Sequence, residues 1–134
     1  MAGTLVANTI NTDTGLFSTN NAYSGIAKAW GNFNGTSSPS TRATFNLSSF
    51  TRVSAGIYTV AFATPMTDAN YSVNINWSDD ANGTVGSYQQ TTALFTTNFS
   101  SLTAPTTSGF GFALNWSGGG NPQPTYICIS VLGN

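Results

Sequence analysis

The chain has 134 residues, of which 5% are charged, and its net charge at pH 7 is −1. Lys and Arg together number 3, too few and too scattered to neutralise the phosphates of a nucleic acid or to hold an anionic membrane surface. The absence of His excludes Ser–His–Asp catalysis, while a hydrophobic content of 40% supplies enough apolar area for one folded domain.

The N-terminal residues 1–24 have too little apolar mass for a core of their own. We expect them to form an arm that packs on the main domain, residues 25–134, or on a neighbouring molecule. Within it, a turn is predicted at residues 11–15, preceded by a short strand formed by Thr4, Leu5, Val6 and Ile10. The candidate attachment residues are the apolar side chains Leu5, Val6, Ile10, Leu16 and Phe17. The N-terminus shows no basic region followed by an apolar stretch, so no signal peptide is predicted.

Alternation of apolar and polar residues with period 2 is the dominant pattern of the main domain. At residues 22–30 a single helical turn is the alternative, but Gly25 and the alternation that follows favour a strand. Further strands are predicted near residues 43–53, 57–63, 71–77, 86–96, 110–116 and 127–131. Each has one apolar face, which is typical of antiparallel sheets with one packed side.

Turn residues separate these strands. Ser54-Ala55-Gly56 predicts a hairpin, Asn82-Gly83 suits a tight turn, and the glycines and prolines of residues 117–124 predict a longer loop. The fold predicted from these patterns is all-β: an antiparallel β-sandwich or jelly-roll-like domain of roughly seven to nine strands with an N-terminal arm.

Cys128 is the single cysteine, so no intrachain disulfide can form. It lies in the apolar run from Tyr126 to Leu132, and we expect it to be a small buried side chain. A nucleophilic role would need a neighbouring His, which the chain lacks.

No catalytic or metal-binding motif is complete. Residues 79–84 resemble a calcium loop but lack the later bidentate acid that such loops require. Asp79 and Asp80 are adjacent, so in extended chain they point to opposite faces and cannot flank a sugar as glycosidase carboxylates do. We therefore expect no enzyme activity, no metal and no cofactor.

A binding role without catalysis stays open at the ends of two strands. Trp77 and Trp116 directly precede the loops 78–84 and 117–124, which we call the tip loops. If the chain between them reverses twice, both loops share one end of the sandwich. The candidate tip contacts are Trp77, Asp79, Asp80, Asn82, Trp116 and Asn121. The alternative is that both tryptophans close the core.

Four segments carry a resemblance to a known family: AKAWGNFNGT at 27–36, RATFNLSS at 42–49, GIYTVAF at 56–62 and MTDANYSV at 66–73. Their order and spacing resemble a domain common in tailed-phage tail-fibre and related virion proteins. Gly31 departs from the pattern, since Val or Ala is commoner there. The aromatic residues of these segments are expected in the core or in subunit contacts: Trp30, Phe33, Phe45, Tyr58, Phe62 and Tyr71. Lys28 and Arg42 are candidates for ion pairs with Asp68 or Asp13.

The resemblance implies a β-rich, homotrimeric structural protein at the surface of a bacteriophage particle, of the tail-fibre or receptor-binding type. One alternative is a capsid decoration protein that holds the shell with residues 1–24. A second is a lectin-like carbohydrate-binding module. The expected partners are copies of the chain itself, other virion proteins and, at the tip loops, a host-surface glycan. The expected location is the virion, after assembly in the host cytoplasm.

Overall fold

The computed structural model describes residues 9–12, 15–18, 25–78, 90–94, 104–116 and 122–133. Ten strands lie within these residues, and their bounds follow in chain order. They are β1 (Thr9–Thr12), β2 (Gly15–Ser18), β3 (Ala29–Asn34), β4 (Ser40–Phe45), β5 (Leu47–Ser54), β6 (Ile57–Phe62), β7 (Ser72–Trp77), β8 (Gln90–Leu94), β9 (Gly109–Trp116) and β10 (Ile127–Leu132). Within the same residues, no helix has the length and apolar character needed to span a membrane.

Eight of these strands form two four-stranded antiparallel sheets, which confirms the predicted β-sandwich. Sheet I has the order β4-β3-β10-β7, and sheet II has the order β5-β6-β9-β8. The strands β1 and β2 pair separately as an antiparallel hairpin, with Ile10 opposite Phe17. The hairpin lies within residues 1–24, whose role as an arm stays a prediction, and Leu5 and Val6 lie outside the described residues.

Period-2 alternation builds the core between the sheets. In β3 and β10 of sheet I, and in β6 of sheet II, every second residue is buried. The strands β6 and β9 are the two central strands of sheet II and supply its most buried side chains. The buried apolar cluster comprises Ala29, Phe33, Tyr58, Val60, Phe62, Met66, Phe110, Phe112, Leu114, Ile127, Ile129 and Val131.

A stack of four aromatic rings crosses this core from one sheet to the other. Phe33 of sheet I stacks on Phe50 with ring centroids 4.1 Å apart. The stack continues within sheet II to Tyr58 at 5.2 Å and on to Phe112 at 5.4 Å. Such offset pairs add about 0.5–1.5 kcal/mol each to the burial of their area, so the stack couples the two sheets.

The predicted strand 43–53 is wrong as a single element, because Asn46 divides it. Asn46 has a φ of 54°, a left-handed conformation that breaks extended structure. The chain leaves sheet I at the end of β4 and enters sheet II at the start of β5. Asn tolerates this conformation better than most residues, but one Asn within an apolar-polar alternation does not reveal it.

The expectation that Cys128 is buried is also wrong: its side chain is exposed. In β10 the larger residues Ile127, Ile129 and Val131 occupy the core face. Because successive side chains of a strand alternate, Cys128 must lie on the opposite face. In the predicted strand at 22–30, extended structure begins only at Ala29.

Candidate interaction surface

The two ends of the sandwich can be identified from hydrogen bonds between the sheets. At one end Tyr58 of sheet II donates its hydroxyl proton to the Gly35 carbonyl at 2.5 Å. At the opposite end the Tyr71 hydroxyl lies 3.0 Å from the carbonyl oxygens of both Thr106 and Gly109. We call these the Tyr58 end and the Tyr71 end.

The strands that precede the tip loops finish at the Tyr58 end. Trp77 closes β7 opposite Ile127, the first residue of β10. In sheet II, Trp116 is the last residue of β9 and lies opposite Gln90. Two residues earlier in β9, the Leu114 amide donates to the carbonyl of Gly56 in the β5–β6 turn, which lies at the Tyr58 end. The backbone therefore brings Trp77 and Trp116 to the same end.

The remaining candidate tip residues, Asp79, Asp80, Asn82 and Asn121, lie outside the described residues. The Trp77 side chain is half-buried and packs against the core cluster, as the alternative interpretation expected for it. A receptor contact at the tip loops stays a prediction.

The outward side of sheet I brings together residues from all four of its strands. The register aligns Phe45, Trp30, Ser130 and Asn74 in one row across the sheet. It aligns Ala43, Asn32, Cys128 and Asn76 in the next row. We call these eight residues, with Tyr126 and Arg42 at their border, the outer face.

Large apolar side chains are exposed on the outer face. Trp30 is 42% exposed, Phe45 is 53% exposed and Tyr126 is 52% exposed. The Arg42 guanidinium lies over the Tyr126 ring, with Cζ 4.2 Å from its centroid. This is a cation–π contact, and Arg42 is the one charged residue of the outer face.

Among the described residues Arg42 forms no ion pair with Asp68, and its guanidinium lies over the Tyr126 ring. The Asp68 carboxylate accepts a hydrogen bond of 2.7 Å from the backbone amide of Asn70, which shapes a local turn. Asp13 lies outside the described residues.

In the middle of the outer face, Asn32 Oδ1 is buried and has no hydrogen-bond partner in the structure. An unsatisfied buried acceptor costs about 1–3 kcal/mol.

The described residues contain no cluster of three or more His, Cys, Asp or Glu side chains that would hold a metal ion. A cleft of about 150 Å³ opens between β4 and β5, lined by Phe33, Leu47 and the hydroxyl-bearing residues Thr41, Thr44, Ser48 and Ser49. A second cleft of about 170 Å³ beside β9 is lined by Thr59, Val60, Thr106, Ser108, Gly109 and Phe110. No side chain of either lining is an acid or a base, so the two clefts offer packing and hydroxyl groups rather than proton transfer.

Sequence reasoning did not single out the outer face. Asn74 and Asn76 were visible as the polar half of an alternation, and Trp30 and Phe45 as core or contact candidates. The pairing register of β3, β4, β7 and β10 brings these residues together. The apolar-polar pattern of one strand carries no information about that register.

Comparisons of this chain with protein-family models, with curated proteins and with solved structures find no match.

Proposed function

We propose that this chain is a non-enzymatic structural subunit of a bacteriophage particle, that it assembles as a homotrimer, and that it belongs to the tail-fibre or receptor-binding type. The resemblance of residues 27–73 to virion proteins supports the setting. The observation that carries self-association is the outer face, which exposes Trp30, Phe45 and Tyr126 among Asn, Ser and Ala side chains.

The physical argument concerns desolvation. Burying an unpaired charge at an interface costs several kcal/mol, whereas amide and hydroxyl groups find partners among themselves. Aromatic residues are enriched at the centres of protein interfaces, and charged residues are depleted there. Apart from Arg42 at its border, the outer face has this composition, and a second copy of the chain fits it at low cost.

The test is the mass of the protein in solution, by light scattering with sedimentation velocity as a second measurement. We expect about three times the monomer mass of 13.9 kDa. Trp30→Ser and Phe45→Ser should shift the mass towards the monomer. Val53→Ser is the matched control, because Val53 is 45% exposed but belongs to β5 of sheet II. A monomeric wild type, or equal dissociation by Val53→Ser, would contradict this assembly.

The location on a particle is tested separately by labelling virions with an antibody against the chain. Label on the tail supports the fibre type, whereas label on the head supports the decoration alternative. In the second case, deletion of residues 1–20 should reduce occupancy on the particle. A glycan array tests the lectin alternative: binding that Trp116→Ala abolishes would favour it.

A further inference from the structure

Arg52 is a half-buried cation at the Tyr58 end of the sandwich. It lies on β5 opposite Tyr58, so its side chain points between the sheets. Its Nη2 group donates to Oε1 of Gln123 at 3.3 Å. Its Nε group is buried and has no hydrogen-bond partner in the structure. The guanidinium therefore bonds to one neutral side chain and is only partly hydrogen-bonded.

No carboxylate contacts Arg52 among the residues that the structure describes. Asp68 is the single acidic residue among the described residues, and its carboxylate accepts a hydrogen bond from the Asn70 amide. A partly buried guanidinium loses hydration, and it recovers the loss best by charge-assisted hydrogen bonds to an anion. Its planar array of N–H donors matches the two oxygens of a carboxylate.

The neighbours of Arg52 supply a further donor and a fixed backbone beside its charge. The Gln123 amide presents its oxygen to Arg52, which leaves its Nε2 hydrogens for an incoming acceptor. The Tyr58 hydroxyl is fixed by its bond to the Gly35 carbonyl and lies beside the Arg52 guanidinium. Buried Pro122 and Pro124 restrict the backbone on either side of Gln123.

We propose that Arg52, together with Gln123, binds a carboxylate group at the Tyr58 end of the sandwich. The carboxylate belongs either to a small acidic ligand, such as a uronic acid, or to a neighbouring copy of the chain. The shared chemistry is one carboxylate that accepts hydrogen bonds from the terminal Nη groups of the guanidinium and from the Gln123 amide, since Nε is buried.

The first experiment uses sodium glucuronate as the probe, with glucose as the neutral control at matched ionic strength. Isothermal titration or NMR shifts should show saturable binding to the wild type. Arg52→Met should weaken it at least about tenfold, as expected for loss of a charge-assisted bond. Arg52→Lys keeps the charge but loses the planar donors, so it should be intermediate. Arg42→Met is the matched control and should bind as the wild type does.

The second experiment measures the mass of the assembly for the wild type and for Arg52→Met without added ligand. A fall in mass would assign the carboxylate to a neighbouring copy. Circular dichroism establishes whether each variant is folded. If Arg52→Met does not fold, Arg52→Lys replaces it in both experiments.

The proposal is overturned if glucuronate binding is absent or independent of Arg52 and the assembly mass is also unchanged by Arg52→Met and Arg52→Lys. If the assembly depends on Trp30 and both arms fail for Arg52, the proposed function stands and this site is removed; if only the assembly is independent of Arg52, the carboxylate belongs to the small ligand.

Discussion

At the residue scale, Asn46 makes the connection between the two sheets. Its Nδ2 group donates to the carbonyl oxygens of Lys28 at 3.0 Å and Thr64 at 3.2 Å. Its Oδ1 atom accepts from the Thr64 amide at 2.7 Å, and its backbone carbonyl accepts from Ala63 at 3.2 Å. One side chain thus ties the β4–β5 corner to the start of β3 and to the segment after β6.

Asn46→Ala should lower the free energy of unfolding by about 2–4 kcal/mol, because it removes the side-chain bonds and places a Cβ-bearing apolar residue in a left-handed conformation. Asn46→Gly relieves the backbone strain and should cost less. Urea denaturation of both variants measures the difference. Equal losses of unfolding free energy in the Ala and Gly variants would show that the left-handed conformation contributes nothing. No loss in either variant would contradict the proposal that Asn46 stabilises the connection between the sheets.

At the scale of elements, β3 shows how one glycine permits the packing of a strand. Gly31 is buried two residues before Phe33, on the same face. A Cβ atom at Gly31 would collide with the Phe33 ring and would approach Leu47 Cδ1 to 2.9 Å. The Phe33 ring lies over Gly31 and is stacked on Phe50, so it cannot move freely.

Gly31→Ala should therefore destabilise the domain by about 1–3 kcal/mol, the usual cost of overpacking a core. Thermal unfolding followed by circular dichroism measures it. Gly25→Ala is the control, because a Cβ there would meet nothing within 4 Å. A neutral or stabilising Gly31→Ala would mean that Phe33 has a second position that the packing permits.

At the scale of the whole molecule, two tyrosine hydroxyls join the sheets at opposite ends. Burial raises the pKa of Tyr58 above its ordinary value of 10.0, and the neighbouring Arg52 charge works against this effect. Burial likewise raises the pKa of Tyr71 above 10.0. Both groups stay protonated in the folded protein at a pH where they ionise in the unfolded chain.

The sign of the pH dependence follows from that difference. Below pH 10 both states keep the phenol protons, so their contribution to stability is constant. As the pH rises above 10, the unfolded state releases protons first and the free energy of unfolding falls until the folded pKa is passed. Urea denaturation at several pH values between 7 and 11 should show this decline, and Tyr58→Phe with Tyr71→Phe should flatten it. An unchanged slope in the double variant would contradict the assignment.

Much of the fold could be predicted because its determinants are local. Alternation located β6, β7, β9 and β10, and Ser54-Ala55-Gly56 located the hairpin between β5 and β6. The break at Asn46 was missed, since the alternation continues on both sides of it. The exposure of Cys128 was missed because its apolar neighbourhood was given more weight than its position in the alternation.

The candidate sites were less predictable. Trp77 and Trp116 were expected at one end from loop order, and the strand registers place their backbone there. The outer face and the Arg52 site involve residues far apart in the chain, such as Arg52 and Gln123, which are 71 residues apart. No local pattern connects such pairs.

The amino-acid sequence alone determined an all-β domain with one apolar face per strand and very few charged groups, because side-chain alternation and turn chemistry act over a few residues. Only the tertiary structure decided that β10, the last strand, lies between β3 and β7, and that β4 and β5 belong to different sheets. Strand pairing depends on how both sheets bury their apolar faces together. That joint requirement fixes which polar and aromatic residues remain outside, and so it fixes the surface available for binding.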